Sequence, residues 1–404
     1  GDGTFDAPSR VVIPNPLGAA AGRFNADARL DLAVVDGVGK VTVLLQGERG
    51  RRDWTAGTLD AAGFFVHAAD FDADGFDDLV LAHPGGSASF LRCKGDGTFE
   101  ARVTLPETRG ARWAASGDLD ADGRLDLATA NHSATSVSVF LGSGGGALAH
   151  LANHHFPGWP HSIAAADVDG DSTLDLVVGL PSGFELLRGT GGGRFAGQAA
   201  LPETQGCHQI LFTGDFNQDG LPDLVDTCGV ELNQGGWSFR RSLDAPSWAA
   251  AVVDVDGDGP LDVVLAANGP AGPADPPALF VHRGESDGSF QPASVSHAFG
   301  LWPNFLLGRD LDGDGRGDLV ATDPQAQAVA VFWGKPEERF LGVGYAVRGF
   351  AALRTAAVGD LDADGRPDLF LQDFLEPRVQ VYLHPGLSEP DAPTLAIEPG
   401  ALYT

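Results

Sequence analysis

The pattern D-x-D-x-D-G-x-x-D-[LV] recurs along the chain and carries the residue types most suited to chemistry. Its first intact copy sets Asp70, Asp72, Asp74 and Asp78 at alternate positions around Gly75. Further copies place Asp118, Asp120, Asp122 and Asp126, then Asp167, Asp169, Asp171 and Asp175, then Asp215, Asn217, Asp219 and Asp223. Three more hold Asp254, Asp256, Asp258 and Asp262; Asp310, Asp312, Asp314 and Asp318; and Asp360, Asp362, Asp364 and Asp368. Three carboxylates at alternate positions, a glycine for the sharp turn and a fourth carboxylate four residues on can wrap one hard cation. Ca²⁺ takes six to eight oxygens at roughly 2.3–2.6 Å, and a backbone carbonyl with water would complete such a shell. The expected cofactor is Ca²⁺, about seven ions, one per intact loop.

The same residues admit two other readings. An EF-hand loop starts alike but needs a Glu at its twelfth position, where these copies have Leu81, Thr129, Val178, Asp226, Leu265, Ala321 and Leu371. The aspartates could also build turns through side-chain to backbone bonds without metal, although four placed carboxylates lacking a cation would repel. A decayed copy keeps Asn25, Asp27 and Asp31 but has Arg23 and Ala28, so it is expected to hold no metal, with the Arg23 guanidinium standing in. Ser172 in place of Gly, and Asn217 in place of Asp, predict weaker sites in those two copies.

The copies start 47, 48, 49, 48, 39, 56 and 50 residues apart. Each unit has the same order: a small-residue run before the loop, an apolar run after it, an alternating segment, and a Gly-rich turn ending in an aromatic. Ala164-Ala165-Ala166, Asp126–Ala130, Ser136–Leu141 and Gly95–Phe99 illustrate the four in turn. Such lengths and residue types are those of four short antiparallel strands. A four-stranded repeat near 50 residues implies an all-β propeller blade. The last loop is followed by no aromatic turn, yet the chain opens with Gly1-Asp2-Gly3-Thr4-Phe5. Residues 1–14 are therefore expected to supply the outer strand of the last blade. The expectation is a single eight-bladed propeller over residues 1–386, eight rather than seven, followed by a Pro-containing tail, 387–404.

The segments Asp118–Leu127 and Gly95–Phe99 resemble the two hallmark segments of the FG-GAP or VCBS repeat family of calcium-binding propellers, which includes the integrin α-subunit head. The resemblance spans nearly the whole chain. It implies the propeller fold and calcium, and it leaves function open among adhesion receptors, fungal lectins, polysaccharide lyases and a sugar dehydratase. The repeat count departs from seven-bladed members and is similar to that of rhamnogalacturonan lyase propellers.

Composition agrees. The 404 residues are 43% hydrophobic with 56 Gly and 26 Pro, which suits many short strands and turns. A net charge of −29 repels phosphate backbones, so nucleic acid is excluded as a partner. Seven divalent ions would bring that charge to about −15. No apolar run reaches the ~18 residues of a membrane span. The chain begins at Gly1 and lacks Met, as expected of a processed segment whose targeting sequence is missing.

If the acidic loops join the first two strands of each blade, the starts of first strands lie on the opposite face. Six residues before each intact loop stand Phe64, Arg112, His161, Gln209, Trp248, Asn304 and Arg354, with Trp113, Trp159 and Trp302 nearby. This chemically varied set suits sugar rings, which offer an apolar face and many hydroxyls; the alternative is a polar rim whose Trp residues plug the channel. Carbohydrate binding by a secreted, extracellular or periplasmic protein leads. A polysaccharide lyase or sugar-modifying enzyme, with His161, His208 or Arg112 as base, comes second, and a protein-binding adhesion or scaffold module third. No catalytic residue is assigned, and no HExxH motif occurs. Cys207 opens a first strand and Cys228 closes the second, so a hairpin brings them to one rim. A Cys207–Cys228 disulfide is expected, stabilising by about 3 kcal/mol and fitting an oxidising compartment. Cys93 is expected to be a buried free thiol.

Overall fold

The computed structural model describes residues 9–382, apart from 28, 38, 48–53, 61–62, 64, 84, 201–209, 227, 246, 269–276, 298–302, 304, 324–327, 335–342, 349–352, 362–365 and 374–377. The tail 387–404 and residues 1–8 lie outside the described residues. The described strands form eight four-stranded antiparallel sheets, and the fold is an all-β propeller of four-stranded blades. No helix among the described residues is long and apolar enough to cross a membrane.

The Asp118 blade shows how the sequence builds one. Its strands are Ala111–Gly117, Asp126–Asn131, Ser136–Gly142 and Leu148–His155, each paired antiparallel with the next. The second strand is buried along its whole length and the third nearly so, whereas the fourth is largely open to solvent. Central strands covered on both faces read as continuous apolar runs, and outer strands alternate. That is why Asp175-Leu-Val-Val-Gly-Leu180 lacks alternation. Gly142 ends the third strand because a side chain there would strike the Leu125 carbonyl oxygen, 2.2 Å from its Cβ position.

Apolar clusters sit between blades. One joins Val41 and Val43 to Val66, Leu79 and Leu81; another joins Phe71 and Phe90 to Leu127 and Phe140. The last joins Leu32, Val34 and Leu44 of the first full blade to Phe370, Val379 and Val381, closing the ring. The final sheet is completed from the N-terminus, as expected: Ser9–Val11 pairs antiparallel with Arg378–Tyr382, Arg10 opposite Gln380. Ile13, just beyond, is fully buried. Pairing this strand removes an open sheet edge.

Deleting residues 1–14 should therefore cost about 3 kcal/mol, the worth of a large buried aliphatic side chain, and leave Arg378–Tyr382 open to intermolecular pairing. The expected readout is a lower melting temperature with concentration-dependent association in size-exclusion chromatography; an unchanged monomer with unchanged melting would show the fastening to be dispensable.

Candidate metal loops and the opposite face

Each acidic loop runs from the end of a blade's first strand to the start of its second, so all lie at one end of the sheets. The second residue of each loop (Phe71, Leu119, Val168, Phe216, Val255, Leu311 or Leu361) is buried between blades. That plug turns the alternate aspartates toward one another. In the Asp118 loop, the Leu119 and Asp120 N–H groups donate to Asp126 Oδ2 at 2.8 and 3.1 Å, and Gly142 N–H donates to Oδ1 at 2.8 Å. Asp118 accepts from the Asp122 and Gly123 N–H groups, and Asp122 from Arg124 N–H. The left-handed backbone at Ala121 and Gly123 makes this coil possible, and Ser172 adopts it at φ 68° where its counterparts have glycine.

The expected clustering of ligands is present in five loops. Oxygens of Asp70, Asp72 and Asp74; Asp118, Asp120 and Asp122; Asp167, Asp169 and Asp175; Asp254, Asp256 and Asp262; and Asp310, Asp312 and Asp318 lie within 4.8 Å of one another in each group. Burial pushes the Asp78 and Asp318 carboxyls up to about 7, with neighbouring loop aspartates adding to the rise and backbone N–H bonds opposing it. Asp31, Asp223 and Asp262 rise to about 6, again through burial first. Converging hard oxygens whose charged form is penalised are a donor set that fits Ca²⁺. In the Asp215 loop, Asn217 donates its amide to Asp219 Oδ2 at 2.9 Å, tying together two of the expected ligands. In the Asp360 loop, Asp362 and Asp364 lie outside the described residues, while Asp368 Oδ2 accepts from Leu361 N–H.

Arg23 meets the neighbouring loop through its main chain, donating N–H to Asp77 Oδ2 at 2.7 Å. Guanidinium partners appear at the five clustered loops. Arg92 pairs with Asp72, Arg188 with Asp169 at 2.9 Å, and Arg283 with Asp256; Arg124 and Arg316 pair with Asp122 and Asp314 at 2.9 and 3.0 Å. Arg92, Arg188 and Arg283 were missed from sequence. The available signal was their shared place, one residue before the N–H that bonds the loop's last Asp.

At the other end of the sheets, Phe64, Gln209, Trp302, Asn304, His208 and Cys207 lie outside the described residues, as does the side chain of Arg354. Cys228 is disulfide-bonded and Cys93 is a buried free thiol. Trp113, 41% exposed, stacks on Phe65 of the preceding blade at 5.4 Å. Trp248, 37% exposed, donates its indole N–H to the Pro303 carbonyl oxygen of the following blade. Trp159, 55% exposed, stacks on His132 at 5.5 Å, and the His161 ring lies 5.3 Å from the same imidazole. Each of these tryptophans thus bridges two blades. Arg112 sits where the register shifts between Ala111 and Trp113, a bulge of the kind that re-aims a side chain. Its charge, with that of His161, holds the His132 pKa below the usual imidazole value, burial being the larger cause. So the structure brings Arg112, Trp159 and His161 together around His132, and sets Trp113 and Trp248 at other blade junctions. His132, which the count of six residues before each loop does not select, sits beside this bulge because Asn131 pairs with Ala111.

The blades and their oxygen-rich loops define a β-propeller with repeated candidate metal sites. An FG-GAP-like repeat model matches residues 70–129, 118–178 and 310–371, and an FG-GAP repeat model matches 159–200. These matches, with the propeller fold, support an FG-GAP-repeat β-propeller family for the chain. It is 34% identical to human (Homo sapiens) integrin alpha-7 over 82 residues, which cover 17% of this chain and 7% of that protein's length. Among solved structures, Saccharomyces cerevisiae Sqt1 is similar with a TM-score of 0.63 and 12% identity, over 94% of this chain and 99% of that one. An Agrocybe aegerita lectin, described as recognising non-reducing terminal N-acetylglucosamine, gives 0.50 at 18% identity, over 72% and 81%. BBS1N, solved in complex with ARL6DN, gives 0.50 at 12% identity, over 95% and 97%. At these identities the structures share the fold alone.

Asp126 and Asp122 should separate the roles within one loop. In metal-free protein, Asp126→Ala strands three N–H donors, two of them buried, and should cost about 3 kcal/mol, whereas Asp122→Ala, at an exposed carboxylate, should cost under about 1 kcal/mol. Urea unfolding in chelator measures both; equal losses would contradict this division.

Proposed function

We propose that this chain is a calcium-stabilised propeller of eight blades, from a secreted or periplasmic protein, that binds carbohydrate on the face opposite its acidic loops. The observation that carries the binding reading is Trp159, half-exposed yet held against His132 beside Arg112 and His161. A rigid aromatic plate ringed by donors suits a sugar, whose C–H face stacks while its hydroxyls bond at the edge. Eight sheets, with apolar clusters shared between neighbouring blades, support the blade count. The clustered aspartates support calcium, about seven ions, and a disulfide-bonded Cys228 suits an oxidising compartment.

A polysaccharide lyase is the second reading, favoured by His161 and Arg112 in one patch: an imidazole to take a proton and a guanidinium to neutralise a carboxylate. A protein-binding module is the third, since BBS1N on the same fold was solved with a protein partner.

Two outcomes test the proposal. Asp78 and Asp318 are held above the unfolded carboxylate value of about 4. Folding therefore takes up protons between about pH 4 and 7, and the metal-free protein loses stability as pH rises through that window. Calcium favours the ionised carboxylates, so the rise in melting temperature on adding calcium should be several degrees larger at about pH 7.5 than at about pH 5. Equal shifts, or none, would refute calcium binding at these groups. Separately, the calcium-loaded protein should bind glycans on an array without forming unsaturated product, and Trp159→Ala should weaken that binding about tenfold, the equivalent of about 1.4 kcal/mol. Product formation would replace binding with lyase chemistry, and silence on every glycan would favour a protein partner.

A further inference from the structure

We propose that the patch formed by Arg112, His132, Trp159 and His161 selects acidic saccharides, sugars bearing a carboxylate or sulfate, over neutral ones. This rests on the carbohydrate reading and sharpens it. The site is assembled from two blades. Arg112 and His132 come from the start of strand Ala111–Gly117 and the residue after strand Asp126–Asn131; Trp159 and His161 come from the approach to strand Ser162–Ala166.

Its parts are fixed before any ligand arrives. Trp159 stands between Pro157 and Pro160 in the run Pro157-Gly158-Trp159-Pro160-His161, where each proline locks its own φ. His161 N–H donates to the Gly179 carbonyl oxygen and His132 N–H to that of Gly110. Beneath His132, the buried Asn131 donates its amide to Ser138 Oγ at 2.7 Å, and Ser138 bonds Asn153. Side chains held this way lose little freedom on binding.

The charge is what identifies the ligand class. Arg112 is exposed and has no carboxylate partner among the described residues. By contrast, Arg92, Arg124, Arg188, Arg283 and Arg316 are each tied to a loop aspartate. The charged groups acting on His132 are Arg112 and His161, both basic. A basic spot on a chain of net charge −29 gives a neutral sugar no advantage. A planar guanidinium fork, however, accepts a carboxylate or sulfate through two N–H bonds. The anion would meet Arg112 and the imidazole edges while the sugar ring lies on Trp159. Strands of seven residues, at ~3.3 Å each, set this patch roughly 20 Å from the acidic loops, beyond the Debye length of about 8 Å at physiological salt.

The test compares three probes by titration calorimetry against the calcium-loaded full chain at physiological salt: trigalacturonate, its carboxyl-reduced neutral counterpart, and a sulfated hexasaccharide. At least one acidic probe should bind tenfold or more tighter than the neutral one. Arg112→Ala should abolish that preference, and Arg112→Lys should restore only part of it. Trp159→Ala should weaken acidic and neutral probes alike. Arg194→Ala, which removes an exposed positive charge from an outer turn, should leave the preference intact. Binding of trigalacturonate alone, or of the sulfated probe alone, identifies which anion is taken; either supports the proposal. Equal affinity for acidic and neutral probes would overturn the selectivity while leaving carbohydrate binding in place. A preference that survives Arg112→Ala would overturn the site, and no binding of any probe would remove the carbohydrate reading beneath it.

Discussion

One buried carboxylate per blade holds the repeat together. Asp78, Asp126, Asp175, Asp223, Asp262 and Asp318 each accept an N–H from the loop's second residue and another from a residue at the end of the third strand or two places beyond it. An anion with negligible exposure is tolerable because those amides point at it; without them its desolvation would be unmet. The bonds join three stretches of chain: the loop, the start of the second strand and the end of the third. Everything at that end of the blade inherits its position from this point. The apolar second residue is pinned into the inter-blade core, and the remaining aspartates are left facing one another.

The first loop separates two roles that the other loops superimpose. Asp31 makes the same bonds, to Phe24 and Gln46 N–H groups, in a loop whose Arg23 and Asn25 replace two aspartates. The staple therefore persists where the oxygen cluster does not. The last aspartate serves the architecture in every one of these loops, and in three of them it also belongs to the oxygen cluster. The first loop thus keeps its buried staple with fewer carboxylates around it. It leaves the opposite ends of the strands free to vary, because nothing there must repeat from blade to blade. Arg112, Trp113, His161 and Trp248 occupy equivalent or adjacent rim positions with unlike chemistry.

Much of this was legible in the sequence because the propeller is built from local signals. The loop spacing, the glycines at turns and the displaced Gly1–Phe5 element foretold the antiparallel blades and their closure by the N-terminal strand. The aspartate positions foretold the clusters. What escaped were contacts set by strand register. Arg92 reaches Asp72 across 20 residues of chain because the end of the third strand lies over the loop. Trp159 meets His132 because two blades abut there. Arg23 meets Asp77 of the neighbouring loop through its main chain, a contact that residue type does not signal. Side-chain identity six residues before a loop locates a rim position, but which rim residues converge depends on bulges such as the one at Arg112.

The central claim is that the aspartate loops hold calcium one ion at a time on a fold already fixed by the buried staple. Counting the metal bound per chain after equilibrium dialysis against millimolar calcium, by elemental mass spectrometry with protein quantified in the same sample, tests it most directly. About seven ions per chain are predicted, one for each loop from Asp70 onward, and magnesium should not replace them. A stoichiometry near zero would contradict it, leaving the aspartates as turn-builders alone.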